Sequence, residues 1–395
     1  MTMLADDIFP PGFLWGTSVG AHQSEGNNLA SDWWAIETAP DSPVPEPSGD
    51  AVDSYHRWNE DLELAAGAGM HDFRFGIEWS RIEPADGQLS VANVQHYQRI
   101  VARANELGLR PLPTLHHFTL PMWFSSSGGW RRPDAISRFL RYVDALVPVL
   151  DCGVERIETI NEPNIVAVLA AGAADLSAGL PVPDRQVSDV MLELHDAIRR
   201  RLKFNHPEIL TGWGVSVQDY QPDSDAEAAF DDYVHPRDEV FLQASRGDDW
   251  VGVQTYTRGL LTNVDGQARA YLAPGAVLTQ TGWENYPDAL GGAVRRAARV
   301  LGDVPIIVTE NGIATADDDE RIRFTAQALR GLHTAMDDGI DVRGYLHWSL
   351  LDNYEWGTWE PTFGLVAVDR ATFARHPKPS LAWLGSLAPR REDKS

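Results

Sequence analysis

The chain has 395 residues, of which 43% are apolar, so it can hold one large domain or two or three average ones. A formal net charge of −24 argues against a nucleic-acid partner and against an anionic membrane surface. Residues 1–7 carry no basic residue, and no run of 18 apolar residues follows, so we expect neither a secretory signal nor a membrane span. The single cysteine, Cys152, fits a reducing compartment, and we expect a cytoplasmic protein.

Short apolar segments alternate with longer amphipathic segments along the whole chain. The predicted strands are Phe13–Thr17, Phe73–Ile77, Pro111–Leu115, Ile157–Ile160, Gly214–Val217, Val251–Gln254, Ile306–Thr309 and Gly344–Trp348. The predicted helices include Tyr55–Ala66, Ala92–Leu107, Ala135–Leu150, Val187–Phe204, Ala289–Leu301 and Arg321–Met336. Because parallel neighbours need crossover helices, this α/β alternation predicts a single (β/α)8 TIM barrel. No long linker divides the chain, so we expect one catalytic domain over residues 1–395, with a disordered tail of a few residues.

Unusual residues stand at the exits of six predicted strands, where catalytic side chains of such barrels lie. They are Gln23, His117, Glu162, Tyr256, Glu310 and Trp348. Glu162 precedes Pro163, and Glu310 precedes Asn311-Gly312. Both the proline and the Asn-Gly turn end a strand sharply. Two carboxylates delivered from two strands are what glycoside hydrolysis needs.

The two glutamates are expected to differ in protonation. Like charges in one barrel mouth raise the pKa of one carboxyl group, which can then act as an acid. Arg74, at the end of the second predicted strand, and Tyr256, after the sixth, are donors suited to keep the other carboxylate charged. The spacing does not say which glutamate has which role, and either one alone could be an ordinary strand-end residue.

Ordered motifs over essentially the whole chain resemble glycoside hydrolase family 1, the β-glucosidase-like retaining enzymes. These motifs are Phe13-Leu14-Trp15-Gly16-Thr17 with Gln23 and Glu25-Gly26, Tyr55-His56-Arg57, Arg74-Phe75, Trp79-Ser80-Arg81, Thr114-Leu115-His116-His117, Thr159-Ile160-Asn161-Glu162-Pro163, Thr309-Glu310-Asn311-Gly312, Trp348-Ser349-Leu350-Leu351-Asp352-Asn353-Tyr354-Glu355-Trp356 and Phe363-Gly364-Leu365. Each motif is moderately specific, and the ordered set is very specific.

The resemblance implies a two-step hydrolysis of β-glycosides with retention of configuration. Glu310 would be the nucleophile, held ionised by Arg74 and Tyr256, and Glu162 would be the acid and then the base. Retention implies that the two carboxyl groups lie about 5–5.5 Å apart. The resemblance also implies an innermost subsite whose sugar-binding residues are Gln23, His117, Asn161, Glu355 and Trp356, with Trp348 as its floor.

Departures from the family pattern affect the surroundings of the substrate. Gln254 stands where the family usually has asparagine, and Phe118 and Thr119 replace tryptophan and aspartate. The stretch Ala170 to Pro183 is rich in small residues, which predicts an open leaving-group side that tolerates bulky aglycones. Glu355 disfavours a substrate with a 6-phosphate.

The sequence therefore predicts an O-glycoside hydrolase acting on small β-D-glucosides, with tolerance for galactose or fucose. No cofactor or metal is expected, because the histidines show no ligand spacing. Two alternatives stay open. One is a transglycosidase that passes the sugar to an acceptor other than water, and the other is a sugar-binding barrel without catalysis.

Overall fold

Eight parallel strands close into a barrel within residues 9–172 and 179–391, the part of the chain that the computed structural model describes. The strands are β1 (Leu14–Val19), β2 (Asp72–Gly76), β3 (Arg110–Thr114), β4 (Arg156–Asn161), β5 (Leu210–Ser216), β6 (Val251–Gln254), β7 (Ile306–Glu310) and β8 (Val342–Trp348). Strands that follow one another along the chain are neighbours, and β8 closes the barrel by pairing with β1. The predicted (β/α)8 barrel is confirmed, and each predicted strand overlaps an observed one.

Six helices match the predicted amphipathic segments. They are Ser54–Gly67, Val91–Glu106, Ala135–Ala145, Arg185–Asn205, Ala289–Leu301 and Asp318–Asp337. Shorter helical segments are Ala21–Glu25, Asp32–Glu37, Trp79–Ile82, Met122–Ser125, Gly129–Arg131, Val147–Leu150, Pro163–Ala170, Phe230–Val234, Val240–Ala244 and Pro379–Gly385. The predicted helix Ala135–Leu150 was wrong in one respect, because the helix ends at Ala145 and, after Leu146, a second helix begins at Val147. Pro148 explains the break, since it has no N–H to continue the first helix.

Side-chain caps define where three of the long helices begin. The Ser90 hydroxyl accepts from the backbone N–H of Asn93, and the Asp184 carboxylate accepts from that of Val187. Asp317 caps two N–H groups of the helix that follows it. Each such cap stabilises its helix by about 1 kcal/mol because it satisfies an otherwise unpaired donor.

The main hydrophobic core lies between the strands and the surrounding helices, and it includes the fully buried Trp15, Trp79 and Trp213. A smaller apolar cluster comprises Leu14, Leu112, Trp250, Ile307 and Leu346. Arg74 and Glu158 are also fully buried, on β2 and β4. Buried charges of opposite sign in two barrel strands indicate a pair.

Two small sheets lie outside the barrel and were not predicted. One consists of Asp219–Pro222, Arg258–Val264 and Gln267–Tyr271, and the other pairs Val366–Val368 with Arg375–Pro377. The strands of both sheets are short, and they lie in segments after barrel strands, where the prediction expected only helices and loops. No helix in the described ranges has the length and apolar character needed to cross a membrane. The predicted tail overlaps residues 392–395, which lie outside the described residues.

Candidate active site

The residues singled out in the sequence come together around one cavity of about 850 Å³ at the carboxyl ends of the barrel strands. Those that line it are Gln23, His117, Asn161, Glu162, Tyr256, Glu310, Trp348, Glu355 and Trp356. Arg74 does not line the cavity but contacts Glu310. Its predicted place at the end of a strand was wrong, because Arg74 is the middle residue of β2.

Arg74 donates hydrogen bonds to two carboxylates and one amide. Its Nη1 donates to Glu310 Oε1 at 2.7 Å, and its Nε donates to Glu158 Oε2 at 3.0 Å. Its Nη2 donates to Glu158 Oε1 and to Asn161 Oδ1, both at 2.5 Å. Glu158 was missed from the sequence, although a lone carboxylate in the apolar strand β4 was a signal for a buried partner. The contacts with Glu158 and Asn161 therefore fix the orientation in which Arg74 donates to Glu310.

Glu310 ends β7 and is almost fully buried. Besides Arg74, it accepts hydrogen bonds from Tyr256 Oη to Oε2 at 2.5 Å and from Gln254 Nε2 to Oε1 at 3.1 Å. Burial raises the pKa of Glu310, while Arg74 and then Tyr256 act against that rise. Three donors on one carboxyl group favour its charged form, which is the form a nucleophile needs.

Glu162 lies directly after β4 and occupies the residue just before the helix Pro163–Ala170. Its backbone adopts a left-handed conformation with φ of 44° and ψ of 62°, which is uncommon for a residue other than glycine. Pro163 occupies the first turn of that helix, where a missing N–H does no harm. Burial, and next the charge of Glu310, raise the pKa of Glu162 to about 8, and a hydrogen bond from Ser216 acts against them. At neutral pH Glu162 therefore holds a proton that it can donate.

Glu355, which also lines the cavity, is contacted by two other predicted residues, Gln23 and Trp348. Gln23 Nε2 lies 3.4 Å from Glu355 Oε2 and 3.3 Å from Asn353 Oδ1. Trp348 Nε1 donates to Glu355 Oε1 at 3.3 Å. Asn353 was not singled out from the sequence, although it lies within the motif that contains Trp348 and Glu355. These contacts present an apolar ring and a carboxyl group side by side.

Several buried polar atoms around the cavity have no hydrogen-bond partner within the described chain. They include Gln23 Oε1, His117 Nδ1 and Asn161 Nδ2. Burial lowers the pKa of His117 well below its usual value, so its ring is neutral and offers one donor and one acceptor. An unpaired buried polar group costs about 1–3 kcal/mol, and a ligand rich in hydroxyl groups can satisfy all three.

Apolar side chains also line the cavity. Its wall includes Trp33, Val44, Phe118 and Ile165, together with Ile36 and Leu169, which are 42% and 40% exposed. The small-residue stretch Ala170 to Pro183, which predicted an open leaving-group side, lies only partly within the described residues, because 173–178 are outside them. Within the described residues, no group of three or more His, Cys, Asp and Glu side chains could hold a metal ion.

Fold and site together define a (β/α)8-barrel glycoside hydrolase in which Glu162 and Glu310 line the same cavity. The chain belongs to glycosyl hydrolase family 1, whose model matches residues 5–206 and 237–393. It is 31% identical to thermostable β-glucosidase B of Thermobispora bispora, over 96% of this chain and 90% of that protein. It is 29% identical to a bifunctional β-D-glucosidase/β-D-fucosidase of Bifidobacterium breve, over 95% and 97% of the two chains. The solved β-glycosidase BGL167 matches with a TM-score of 0.89 and 37% identity, over 98% of this chain and all of that one. The family resemblance stated from the motifs is confirmed.

Proposed function

We propose that this protein is a retaining β-glycosidase that hydrolyses terminal non-reducing β-D-glucosidic bonds and also accepts galactosides or fucosides. The observation that carries the proposal is that Glu162 and Glu310 line one cavity, with three donors on Glu310 and with burial and Glu310 raising the pKa of Glu162. That pairing is the division of roles that a double displacement needs. The relatives named β-glucosidase and β-D-fucosidase support the choice of sugars.

In the first step, a carboxylate oxygen of Glu310 attacks the anomeric carbon from the face opposite the leaving group. The bond from that carbon to the glycosidic oxygen breaks, and Glu162 transfers its proton to the departing oxygen. The product is a glycosyl ester on Glu310 and a free aglycone. Arg74 and Tyr256 hold the attacking carboxylate in place, since each donates a hydrogen bond to it.

In the second step, Glu162 removes a proton from water, which attacks the anomeric carbon and releases the sugar from Glu310. The same electrostatics suit both steps. The negative charge of Glu310 is the second largest cause of the raised pKa of Glu162. That charge disappears in the ester, so the pKa of Glu162 falls and its carboxylate becomes available as a base.

The sugar is proposed to lie between Trp348 and the polar residues around it. Trp348 would stack on an apolar face of the pyranose, and Glu355 would accept hydrogen bonds from adjacent hydroxyl groups. The remaining hydroxyl contacts are assigned to Gln23, His117, Asn161 and Trp356. Support comes from the unpaired buried atoms of three of these residues, which a polyhydroxylated ligand would satisfy.

We also propose that residues 1–395 act as one catalytic domain in the cytoplasm. The barrel strands run from Leu14 to Trp348, and the main core includes residues as far apart as Phe9 and Leu384. The single cysteine supports a reducing compartment. Cell fractionation tests the location.

The decisive experiment follows release of p-nitrophenol from its β-glucoside by the purified protein and by Glu310→Gly. We expect turnover by the wild type, loss of about 10⁴-fold or more in the variant, and rescue by azide with formation of α-glucosyl azide. Glu208→Gly, at an exposed position that does not line the cavity, serves as the matched control. A β-azide product, or no turnover of gluco-, galacto- and fuco-substrates, would overturn the proposal. Product analysis with added alcohols separates hydrolysis from transglycosylation.

A further inference from the structure

We propose that Gln254 is a positioning residue that serves the two sides of the reaction at once, orienting the amide of Asn161 and supporting the charged form of Glu310. This inference rests on the proposed role of Glu310 as nucleophile. Gln254 ends β6 and is completely buried. Its Nε2 donates to Asn161 Oδ1 at 2.8 Å and to Glu310 Oε1 at 3.1 Å. One amide nitrogen thus joins a cavity-lining amide to the nucleophile.

The carboxylate determines which way the Gln254 amide is turned. An ionised carboxyl group can only accept hydrogen bonds, so the amide nitrogen of Gln254, and not its oxygen, has to face Glu310. Turning that amide over would bring Gln254 Oε1 against two oxygens, Glu310 Oε1 and Asn161 Oδ1. Gln254 Oε1 has no partner within the described chain, so no other contact competes for this orientation.

The orientation of Gln254 in turn determines that of Asn161. Two donors, Arg74 Nη2 at 2.5 Å and Gln254 Nε2 at 2.8 Å, converge on Asn161 Oδ1. Turning the Asn161 amide over would place N–H groups against both donors, which is unfavourable in a buried site. Asn161 Nδ2 is consequently the atom left without a partner, in a residue that lines the cavity. Asn161 is therefore presented to the substrate as a hydrogen-bond donor.

The length of the glutamine is accommodated by a glycine on the neighbouring strand. A Cβ atom at Gly214, on β5, would lie 2.8 Å from Gln254 Nε2, 3.0 Å from Gln254 Cδ and 3.1 Å from Glu158 Oε2. Contacts this short force the amide of Gln254 to move. Gly214 and Gln254 therefore form a matched pair, in which the missing side chain at 214 leaves the space that the longer amide fills.

The first test compares Gln254→Met, which keeps the size but removes the amide, with Gln254→Asn, which keeps the amide on a shorter arm. The readout is the pH profile of kcat/KM on p-nitrophenyl β-glucoside. Loss of a hydrogen bond to a charged group should lower kcat/KM of Gln254→Met about 10- to 100-fold. The acid limb of its profile should move up by about one pH unit, because protonation of Glu310 becomes easier. Gln254→Asn should show a smaller loss and a smaller movement.

Gln218→Met is the matched control, because Gln218 also lines the cavity and, within the described residues, accepts a hydrogen bond from Arg296 and makes none with Glu310 or Asn161. Its acid limb should coincide with that of the wild type. An unchanged acid limb in Gln254→Met, or no difference between the methionine and asparagine variants, would overturn the proposal. Azide rescue of Glu310→Gly is measured separately, so failure of the nucleophile assignment remains distinguishable from failure of the Gln254 assignment.

A second test uses Gly214→Ala and stays informative even if Gln254→Met does not fold. Alone, Gly214→Ala should lower kcat/KM and move the acid limb of the pH profile to higher pH, as Gln254→Met does. In the Gln254→Asn background the shorter side chain removes the two closest contacts of the new methyl group and leaves the one with Glu158 Oε2, so Gly214→Ala should have a smaller effect than it has alone. Equal effects of Gly214→Ala in both backgrounds would show that the two residues do not act as a pair.

Discussion

Glu162→Gln is predicted to abolish acid catalysis and, at the same time, to stabilise the folded protein in a pH-dependent way. Glutamine has nearly the same shape as glutamate but can neither donate the catalytic proton nor become charged. In the wild type, burial and the nearby Glu310 disfavour the charged form of Glu162, and its pKa rises from about 4.5 to about 8. Glu162 therefore lowers the free energy of unfolding at every pH at which its carboxyl group is ionised in the unfolded chain.

The magnitude follows from linkage between protonation and folding. Between pH 4.5 and about 8 the folded state binds more protons at Glu162 than the unfolded state does, so the free energy of unfolding falls as the pH rises. Each pH unit in this window corresponds to about 1.4 kcal/mol, which gives an upper limit of about 5 kcal/mol above pH 8. Glu162 keeps partial contact with the cavity, and solvent there reduces the expected effect to about 2–3 kcal/mol.

The assay is thermal unfolding of both proteins at pH 5 and pH 8.5. A chain of this size changes its midpoint by roughly 1 °C per kcal/mol. Glu162→Gln should therefore melt about 2–3 °C above the wild type at pH 8.5 and close to it at pH 5. Glu63→Gln is the control, because Glu63 is exposed and its bond to Arg103 lowers its pKa, so no gain is expected. A gain of the same size at both pH values, or a lower midpoint at pH 8.5, would refute the reasoning.

Three further predictions concern the site. Arg74→Met leaves Glu158 and Glu310 as buried carboxylates without their cation, so the free energy of unfolding in urea should fall by about 3–5 kcal/mol, and an unchanged midpoint would contradict the pairing. Tyr256→Phe removes one donor from Glu310 and should lower kcat about 10- to 100-fold; equal kcat values would exclude this role. Leu169→Gln should lower kcat/KM about tenfold for octyl β-glucoside and leave kcat/KM for methyl β-glucoside unchanged. An unchanged kcat/KM for octyl β-glucoside would show that Leu169 does not bind the aglycone.

The barrel and the family could be predicted from the sequence because the signals are local. Alternating strand and helix patterns are written into consecutive residues, and the parallel order follows from the need for crossover helices. Both glutamates could be singled out because Pro163 and the Asn311-Gly312 turn end their strands where catalytic groups lie in such barrels. The break at Leu146 was missed because an apolar run with helical spacing outweighed the proline within it.

Only the tertiary structure decided how the site residues act on one another. Arg74 and Glu158 are 84 positions apart, and Gln254 lies 93 positions from Asn161, so no local pattern pairs them. Closure of the barrel brings these residues into contact and removes them from water. The raised pKa of Glu162 and the unpaired amide of Asn161 depend on that burial, and the donors that oppose the raised pKa of Glu310 reach it only because the barrel closes.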